Sequence, residues 1–304
     1  EKDVYNSQIY SSPSSIYRKS WEGAQNQLQA SLNYERLFAE KHNLKVLFLY
    51  EQSAKEEDNL WAKRNFEMDA VDEIFAGSEE EQIGNADAGQ IYRVTNMGLV
   101  GRVNYDYQSK YLAEVSFRYD GSSKFAKGNR WGFFPAGALA WRISNEDFLK
   151  DNQVVSNLKL RLSYGSSGND RIDADLYQKL YGVSSSRPAG WGEVSHYYYN
   201  FYNSKYVYNP DVKWETTITR NIGIDFGFFK ERLSGTIDVY WNTVKDLLVP
   251  SDIPGYTGYT KLMTNVGQTS NRGIELQLNA WLIETKDFSP VSYTHLTLPT
   301  TSRV

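Results

Sequence analysis

The chain has 304 residues with no cysteine, 23 tyrosines and 8 tryptophans, and its formal net charge is −4 at pH 7. This small net charge, without any run of lysine and arginine, argues against nucleic acid as a partner. No segment approaches the about 18 consecutive apolar residues of a transmembrane helix, so a membrane-embedded form would have to cross as strands. The abundance of tyrosine and tryptophan suits a membrane–water girdle or a sugar-binding surface.

Alternation of apolar and polar residues with a period of two recurs along the chain and predicts strands. It is clearest at 110–121, where Val115 and Phe117 share one face and Glu114 and Arg118 share the other. The predicted strands, in chain order, are 26–35, 43–52, 98–107, 110–121, 132–144, 158–165, 219–229, 234–243 and 273–282. Each has about the length that a tilted strand needs to cross a bilayer. The only plausible amphipathic helix lies at 56–77, between two strands.

The predicted connections alternate between short and long. The short ones are 38–42, 108–110 and 230–232, and the long ones are 56–90, 120–131, 165–213 and 245–272. Short turns on one rim and long loops on the other are typical of an outer-membrane barrel, in which the long loops lie outside the cell. A transmembrane antiparallel β-barrel is therefore favoured, and a soluble all-β carbohydrate-binding protein stays the alternative.

Four segments, at 101–149, 158–169, 209–248 and 253–281, carry motifs that are more specific than a β pattern. These motifs are RYDGSS at 118–123, LKLRLSYG at 158–165, NPDVKWE at 209–215 and NRGIEL at 271–276. Together the segments resemble the barrel of the SusC/RagA family of TonB-dependent outer-membrane transporters, in the order and spacing of that family.

The resemblance implies an all-β fold, a plugged barrel of about 22 antiparallel strands. Because about 10 strands can be counted, we expect residues 1–289 to be a partial barrel without the plug. The tail at 290–304 has two prolines and no amphipathic period, and it looks like translated adapter sequence. We therefore expect this tail to be non-native and exclude it from the predicted fold, with a real but divergent end as the alternative.

The resemblance also implies a function without covalent chemistry or a cofactor. Members import oligosaccharides, peptides or other large nutrients across the outer membrane of Gram-negative, Bacteroidetes-like cells. The TonB complex would act through the plug, and a SusD-like lipoprotein would cover the outer loops as a lid. The barrel itself would contact outer-membrane lipid. A passive porin and a secreted β-rich carbohydrate-binding protein are the alternatives.

No catalytic or metal site is predicted from the residues. The three histidines are far apart in the sequence and lack metal-ligand spacing, and there is no thiol. Asp170, Asp173 and Asp175 lie close together, but the segment lacks the glycine and the terminal glutamate of a calcium loop. We interpret it as a solvated acidic loop.

The segment 187–210, in the longest loop, is the candidate for ligand contact, because aromatic faces stack on sugar rings. The predicted contacts are Trp191, Tyr197, Tyr198, Tyr199 and Tyr202. Alternatively, these rings pack the loop against itself or against a partner, since so long a loop needs its own small core.

The strand face on which a polar or aromatic residue lies predicts what that residue contacts. Four residues on the polar faces are expected to line the lumen and to contact the plug or water rather than the substrate. They are Arg118, Asp120, Glu275 and Asn279. An interfacial belt is expected from the aromatic residues near strand ends or on apolar faces, which are Trp131, Phe133, Phe134, Trp141, Trp214 and Trp241.

Overall fold

The structure is a computed structural model that describes residues 15–65, 73–79, 82–86, 92–150, 152–178, 181–183, 199–201, 206–281 and 291–297. The chain divides into two compact units. One unit comprises residues 1–27 and 53–94, and the other comprises residues 28–52 and 95–304. In the first unit the rings of Tyr17 and Trp61 lie 5.5 Å apart, and Arg93 pairs with Glu56 at 2.8 Å.

Within the described residues, the main sheet has 11 strands, and its order follows the chain. The strands are β1 (Ser15–Phe38), β2 (His42–Asn65), β3 (Gln82–Asn85), β4 (Tyr92–Tyr107), β5 (Tyr111–Ser122), β6 (Trp131–Arg142), β7 (Val155–Asn169), β11 (Glu215–Phe228), β12 (Leu233–Lys245), β15 (Gln268–Trp281) and β16 (Val291–Thr297). In this part of the chain β3 pairs with β2, and the strand pairs that join β4 to β16 within the main sheet are all antiparallel. The predicted all-β antiparallel fold is therefore confirmed.

The remaining strands lie in the long connections. β10 (Tyr206–Val207), β14 (Lys261–Asn265) and β13 (Leu248–Asp252) form a three-stranded sheet, and β8 (Tyr181–Val183) pairs with β9 (Tyr199–Phe201). Among the described residues, short 3₁₀ helices cover Ile74–Ala76, Ile143–Asn145 and Gly255–Thr257. No helix in the described ranges has the length and apolar character needed to span a membrane.

The short connections are tight turns with an unusual backbone. Gln108 and Ser109 both have positive φ, 53° and 55°, and the Lys110 N–H donates to the Tyr107 carbonyl at 2.9 Å. Positive φ at both central residues matches the twist of the flanking strands, which favours this turn in hairpins. Ala39 and Glu40 repeat the pattern between β1 and β2. The turns after β1, β4 and β11 thus stand on one rim, as predicted, but the connection between β6 and β7 on that rim has 12 residues, more than the 8 residues between β5 and β6 on the opposite rim.

The cross-strand registers separate an apolar face from a polar face, since directly paired residues share a side of the sheet. On the apolar face Val115 is 66% exposed, Leu139 58% and Ile274 45%, as expected of side chains that meet lipid. The belt residues on this face are Trp131, Phe133, Trp141 and Trp241. The polar face is the opposite side of the same strands.

Two of the expected belt residues are placed elsewhere, and that part of the prediction is wrong. Phe134 lies on the polar face between its neighbours and is only 5% exposed, with its ring 5.5 Å from the ring of Trp214. Trp214 precedes β11 and packs against a core formed by the loops. Their burial comes from contacts between distant segments, which strand alternation does not reveal.

The predicted helix at 56–77 is also wrong over its first half, because β2 continues to Asn65. There the backbone pairs with β3, with Trp61 opposite Asn85 and Lys63 opposite Ile83. A partner strand satisfies the backbone groups, so tertiary context overrides helical propensity.

The C-terminal tail, which we expect to be non-native and exclude from the predicted fold, pairs with the last strand of the main sheet. The backbone of β16 pairs with β15 from Trp281 opposite Val291 to Glu275 opposite Thr297. An uncovered strand offers a row of unpaired N–H and C=O groups, and an extended segment can satisfy them whatever its sequence pattern. The adapter-like origin of the tail stays a prediction.

Candidate functional site

The polar face of β2, β4 and β5 carries a cluster centred on Arg118. The Arg118 guanidinium donates to both carboxylate oxygens of Asp120, each at 2.9 Å, and also to Glu51 of β2. Gly98, on the intervening strand β4, lies directly opposite Asp120. A Cβ atom at Gly98 would lie 2.7 Å from the Asp120 Oδ1 atom, so the cluster needs the space that this glycine leaves.

A second cluster, centred on Arg161, repeats this arrangement on β7, β11 and β12. Arg161 Nε donates to Asp225 of β11 at 2.9 Å and 3.0 Å, and its Nη2 atom donates to Asp238 of β12 at 3.2 Å. The intervening residue is Gly223, which pairs directly with both Arg161 and Asp238. A Cβ atom there would lie 2.4 Å from Asp238 Oδ1 and 2.7 Å from Arg161 Nη2.

In both clusters one arginine reaches across a glycine on the middle strand, so that three strands are tied together on the polar face. Each cluster has two carboxylates and one guanidinium, which gives a net charge of −1. The guanidinium binds carboxylates of the same sheet, and carboxylate oxygens remain available for other contacts. Sequence reasoning named Arg118 and Asp120 but missed Glu51 and the whole second cluster, because only the register brings those residues together.

The other two polar-face residues named from the sequence lie on β15. Glu275 is directly opposite Asp238, beside the second cluster, and Asn279 is opposite Ser234. The Oδ1 atom of Asn279 is buried and accepts no hydrogen bond from the described residues, and the same holds for Oδ1 of Asn242. An unpaired buried oxygen is costly, so both positions suit a donor from outside this part of the chain.

The long loops share a small hydrophobic core, here called the loop core. It consists of Phe125, Ile172, Val212 and Met263, which are 0–8% exposed. These residues come from three connections, namely those between β5 and β6, β7 and β11, and β12 and β15. The loops therefore form one folded layer.

Hydrogen bonds between loops reinforce the loop core. Ser122 Oγ, almost fully buried, donates to Asp170 Oδ2 at 2.9 Å, and Asn209 Nδ2 donates to the Met263 carbonyl at 2.8 Å. Asp170 belongs to the acidic segment considered from the sequence, so part of that segment has a structural role. Within the described ranges, no three or more histidine, aspartate and glutamate side chains are grouped to hold a metal ion.

The predicted aromatic contacts of the segment 187–210 lie mostly outside the described residues. Trp191, Tyr197, Tyr198 and Tyr202 lie outside the described residues, and Tyr199 is described only by its backbone, in β9. From the same segment, Tyr206 packs against the loop core, which is the structural role considered as the alternative. Tyr256, which the sequence pattern did not single out, is 90% exposed in the 3₁₀ helix Gly255–Thr257.

A comparison with known proteins decides the family. The family model described as TonB dependent receptor-like, beta-barrel, matches residues 2–303. The chain belongs to this family. Its members are outer-membrane β-barrel proteins, so the predicted recognition, barrel fold and location are confirmed, and a secreted soluble protein is not favoured.

Curated relatives and solved structures agree with this assignment. The chain is 43% identical over 200 residues to TonB-dependent receptor SusC of Bacteroides thetaiotaomicron, covering 65% of this chain and 20% of that protein. It is 33% identical over 259 residues to TonB-dependent receptor P3 of Formosa agariphila, covering 85% of this chain and 25% of that protein. Both relatives are named as receptors, not as enzymes. The chain thus spans a fifth to a quarter of their length.

The structure of the RagAB peptide transporter shares the fold, with a TM-score of 0.81 at 24% identity over 92% of this chain and 30% of that chain. The chain therefore shares its strand arrangement with that transporter.

On the short-turn rim of the receptor, Glu146 accepts three hydrogen bonds. Its donors are Tyr111 Oη at 2.7 Å, Trp141 Nε1 at 3.0 Å and Lys110 Nζ at 3.1 Å. These hydrogen bonds, with that of Tyr111 first, lower the pKa of Glu146 to about 2. The contact fixes the aromatic belt, in which the rings of Tyr111 and Trp141 are stacked 6.4 Å apart, to the rim.

Proposed function

We propose that the complete protein imports oligosaccharides, or other nutrients too large for passive porins, across the outer membrane with energy supplied through TonB. The observation that carries the proposal is the 43% identity to SusC. Because this chain spans a fifth of that relative, the transport cycle, the cargo and the partners are inferences about the whole protein.

In this proposal the polar face lines the lumen. Arg118, Asp120, Glu275 and Asn279 are then wall residues that meet the plug or water. The fixed Arg118 and Arg161 clusters keep the wall rigid, since each ties three strands together. A rigid wall lets a plug move within the barrel without distorting the sheet.

The loop layer is the surface that would capture cargo beneath a SusD-like lipoprotein lid. Its shared core supports a preorganised platform, which reduces the entropy cost of binding. The predicted aromatic contacts Trp191, Tyr197, Tyr198, Tyr199 and Tyr202 belong to this layer by sequence, and aromatic faces suit sugar rings. This composition favours oligosaccharide over peptide as the cargo.

The experiment begins with long-read DNA sequencing of the native locus, which recovers the complete reading frame and the neighbouring genes. Uptake of labelled oligosaccharides and peptides is then measured in cells that carry or lack this gene, with and without functional TonB. We expect oligosaccharide uptake to require both. Uptake that persists without TonB would indicate a passive porin instead.

Residue roles are tested in the same strain. We expect Trp191→Ala with Tyr198→Ala to weaken oligosaccharide uptake at low cargo concentration. Phe148→Ala is the matched control, because Phe148 is 72% exposed and follows β6 on the opposite rim. Equal uptake by the two variants would assign the aromatic segment to loop packing or to the lid.

A further inference from the structure

Two arginines lie on the apolar face of the receptor, where charged side chains are rare. Arg220 of β11 pairs directly with Trp241 of β12, and Trp241 pairs directly with Arg272 of β15. The three side chains therefore form one row across three strands. Since neighbouring strands are about 4.8 Å apart, the two arginine Cα atoms lie roughly 10 Å from each other.

Neither arginine is neutralised by the surrounding sheet. Both are exposed, and no carboxylate of the described residues forms an ion pair with either. Arg118 and Arg161 on the polar face differ in this respect, because each binds two carboxylates. The row is thus a local charge of +2 at the edge of an apolar surface.

The row lies at the outer boundary of the apolar band. The next row towards the short turns consists of Ile222, Val239 and Ile274, and apolar residues continue down to the turn between β11 and β12. From that turn to Trp241 the strand covers about 27 Å, which is roughly 20 Å along the membrane normal at a tilt of about 40°.

The aromatic belt on other strands lies at the same height above the short turns as the row of Arg220, Trp241 and Arg272. Tyr119 is as far along β5 from its short turn as Trp241 is along β12, and the Tyr119 ring stacks on Trp131 at 4.8 Å. Aromatic side chains of this kind mark the membrane–water interface. The two guanidinium groups therefore stand where lipid headgroups of the outer leaflet begin.

We propose that Arg220 and Arg272 form a binding site for a phosphorylated lipid headgroup of the outer leaflet. Guanidinium groups recognise phosphate through paired, charge-assisted hydrogen bonds. Two long side chains on either side of Trp241 converge on one phosphate or hold two phosphates of the same lipid, while Trp241 and the isoleucines contact its acyl chains. Lys245, exposed on the same face nearer the rim, extends the positive charge outward.

The test uses the complete receptor purified in detergent and native mass spectrometry of bound lipid. The probes are diphosphorylated lipid A and the same lipid after removal of its phosphates. The variants are the double replacement Arg220→Gln with Arg272→Gln, and the charge-conserving Arg220→Lys with Arg272→Lys. Arg171→Gln is the matched control, because Arg171 is an exposed loop arginine.

We expect the double glutamine variant to bind diphosphorylated lipid A about 30-fold more weakly, given the usual contribution of two cationic side chains at a membrane surface. The double lysine variant should fall between it and the unmodified receptor, and Arg171→Gln should bind normally. Equal binding by the unmodified receptor and the double glutamine variant would overturn the proposal. Equal binding of the phosphorylated and the dephosphorylated lipid would also overturn it. Competition by millimolar inorganic phosphate would show that the site binds a soluble anion instead of a lipid.

Discussion

Replacing Gly223 by alanine should break the bridge that Arg161 makes across β11. The new Cβ atom would lie 2.4 Å from Asp238 Oδ1 and 2.7 Å from Arg161 Nη2, closer than carbon and these atoms approach in folded proteins. Both contacts are with the ends of flexible side chains, so these will move. The cost is then the loss of the hydrogen bond between Arg161 and Asp238.

The magnitude follows from the kind of hydrogen bond and its exposure. Hydrogen bonds between charged groups contribute about 1.5–3 kcal/mol. The Arg161 side chain is 32% exposed and that of Asp238 18%, so solvent screening places the effect near the lower end. We expect the free energy of unfolding to fall by about 1–2 kcal/mol.

The assay is urea unfolding of the complete receptor in micelles, followed by tryptophan fluorescence. Gly165→Ala is the matched control, because Gly165 is also in a strand on the polar face and its new Cβ would meet only Ala136 Cβ, at 3.6 Å. In an Arg161→Ala background, Gly223→Ala should cost much less, since the bridge is already absent. If Gly223→Ala were as stable as Gly165→Ala, the idea that glycine makes room for the bridge would be wrong.

Three further predictions concern the loop core, the rim and a turn. Phe125→Ala should destabilise the loop layer by about 3–5 kcal/mol and speed cleavage of the loops by protease, whereas Phe148→Ala, at a 72% exposed position, should not. The pKa of Glu146 is about 2, below its ordinary 4.5, so its stabilisation is complete well above pH 4.5 and is lost as the pH falls towards 2. Thermal unfolding of Glu146→Gln across this range should lack that pH dependence, and an unchanged profile would contradict the assignment. Replacing Gln108 by Asn and Ser109 by Gly, which suit positive φ, should raise the free energy of unfolding by about 1 kcal/mol, and an unchanged urea midpoint would refute it.

The membrane-crossing part of the fold was predictable because burial there follows the pleat. The pattern at 110–121 predicts β5 to within one residue of Tyr111–Ser122. Prediction failed towards the outer ends, where both faces meet water and the alternation disappears. β1, for example, runs over Ser15–Phe38, but the pattern predicts only 26–35, since the first half of β1 has charged residues on both faces beside Ile16, Tyr17 and Trp21.

The polar-face clusters were only partly predictable for another reason. Arg118 and Asp120 are two residues apart on one strand, so their common face can be read from the sequence. Arg161, Asp225 and Asp238 are brought together by the registers of two strand pairs, and a shift of one residue in either would separate them. The loop core is still less visible, because its four residues come from segments far apart in the chain.

The loop core has a consequence for how such a receptor can acquire a new cargo. Its side chains come from three connections and meet in one close-packed interior, so a loop taken from a relative would leave a void or a clash against the other two. Whole loops should therefore be inherited and exchanged as a set. Residues that point away from the core, such as Tyr256, can change one at a time. New specificity should thus accumulate at exposed tips on a conserved interior, and grafting experiments should transfer all three connections together.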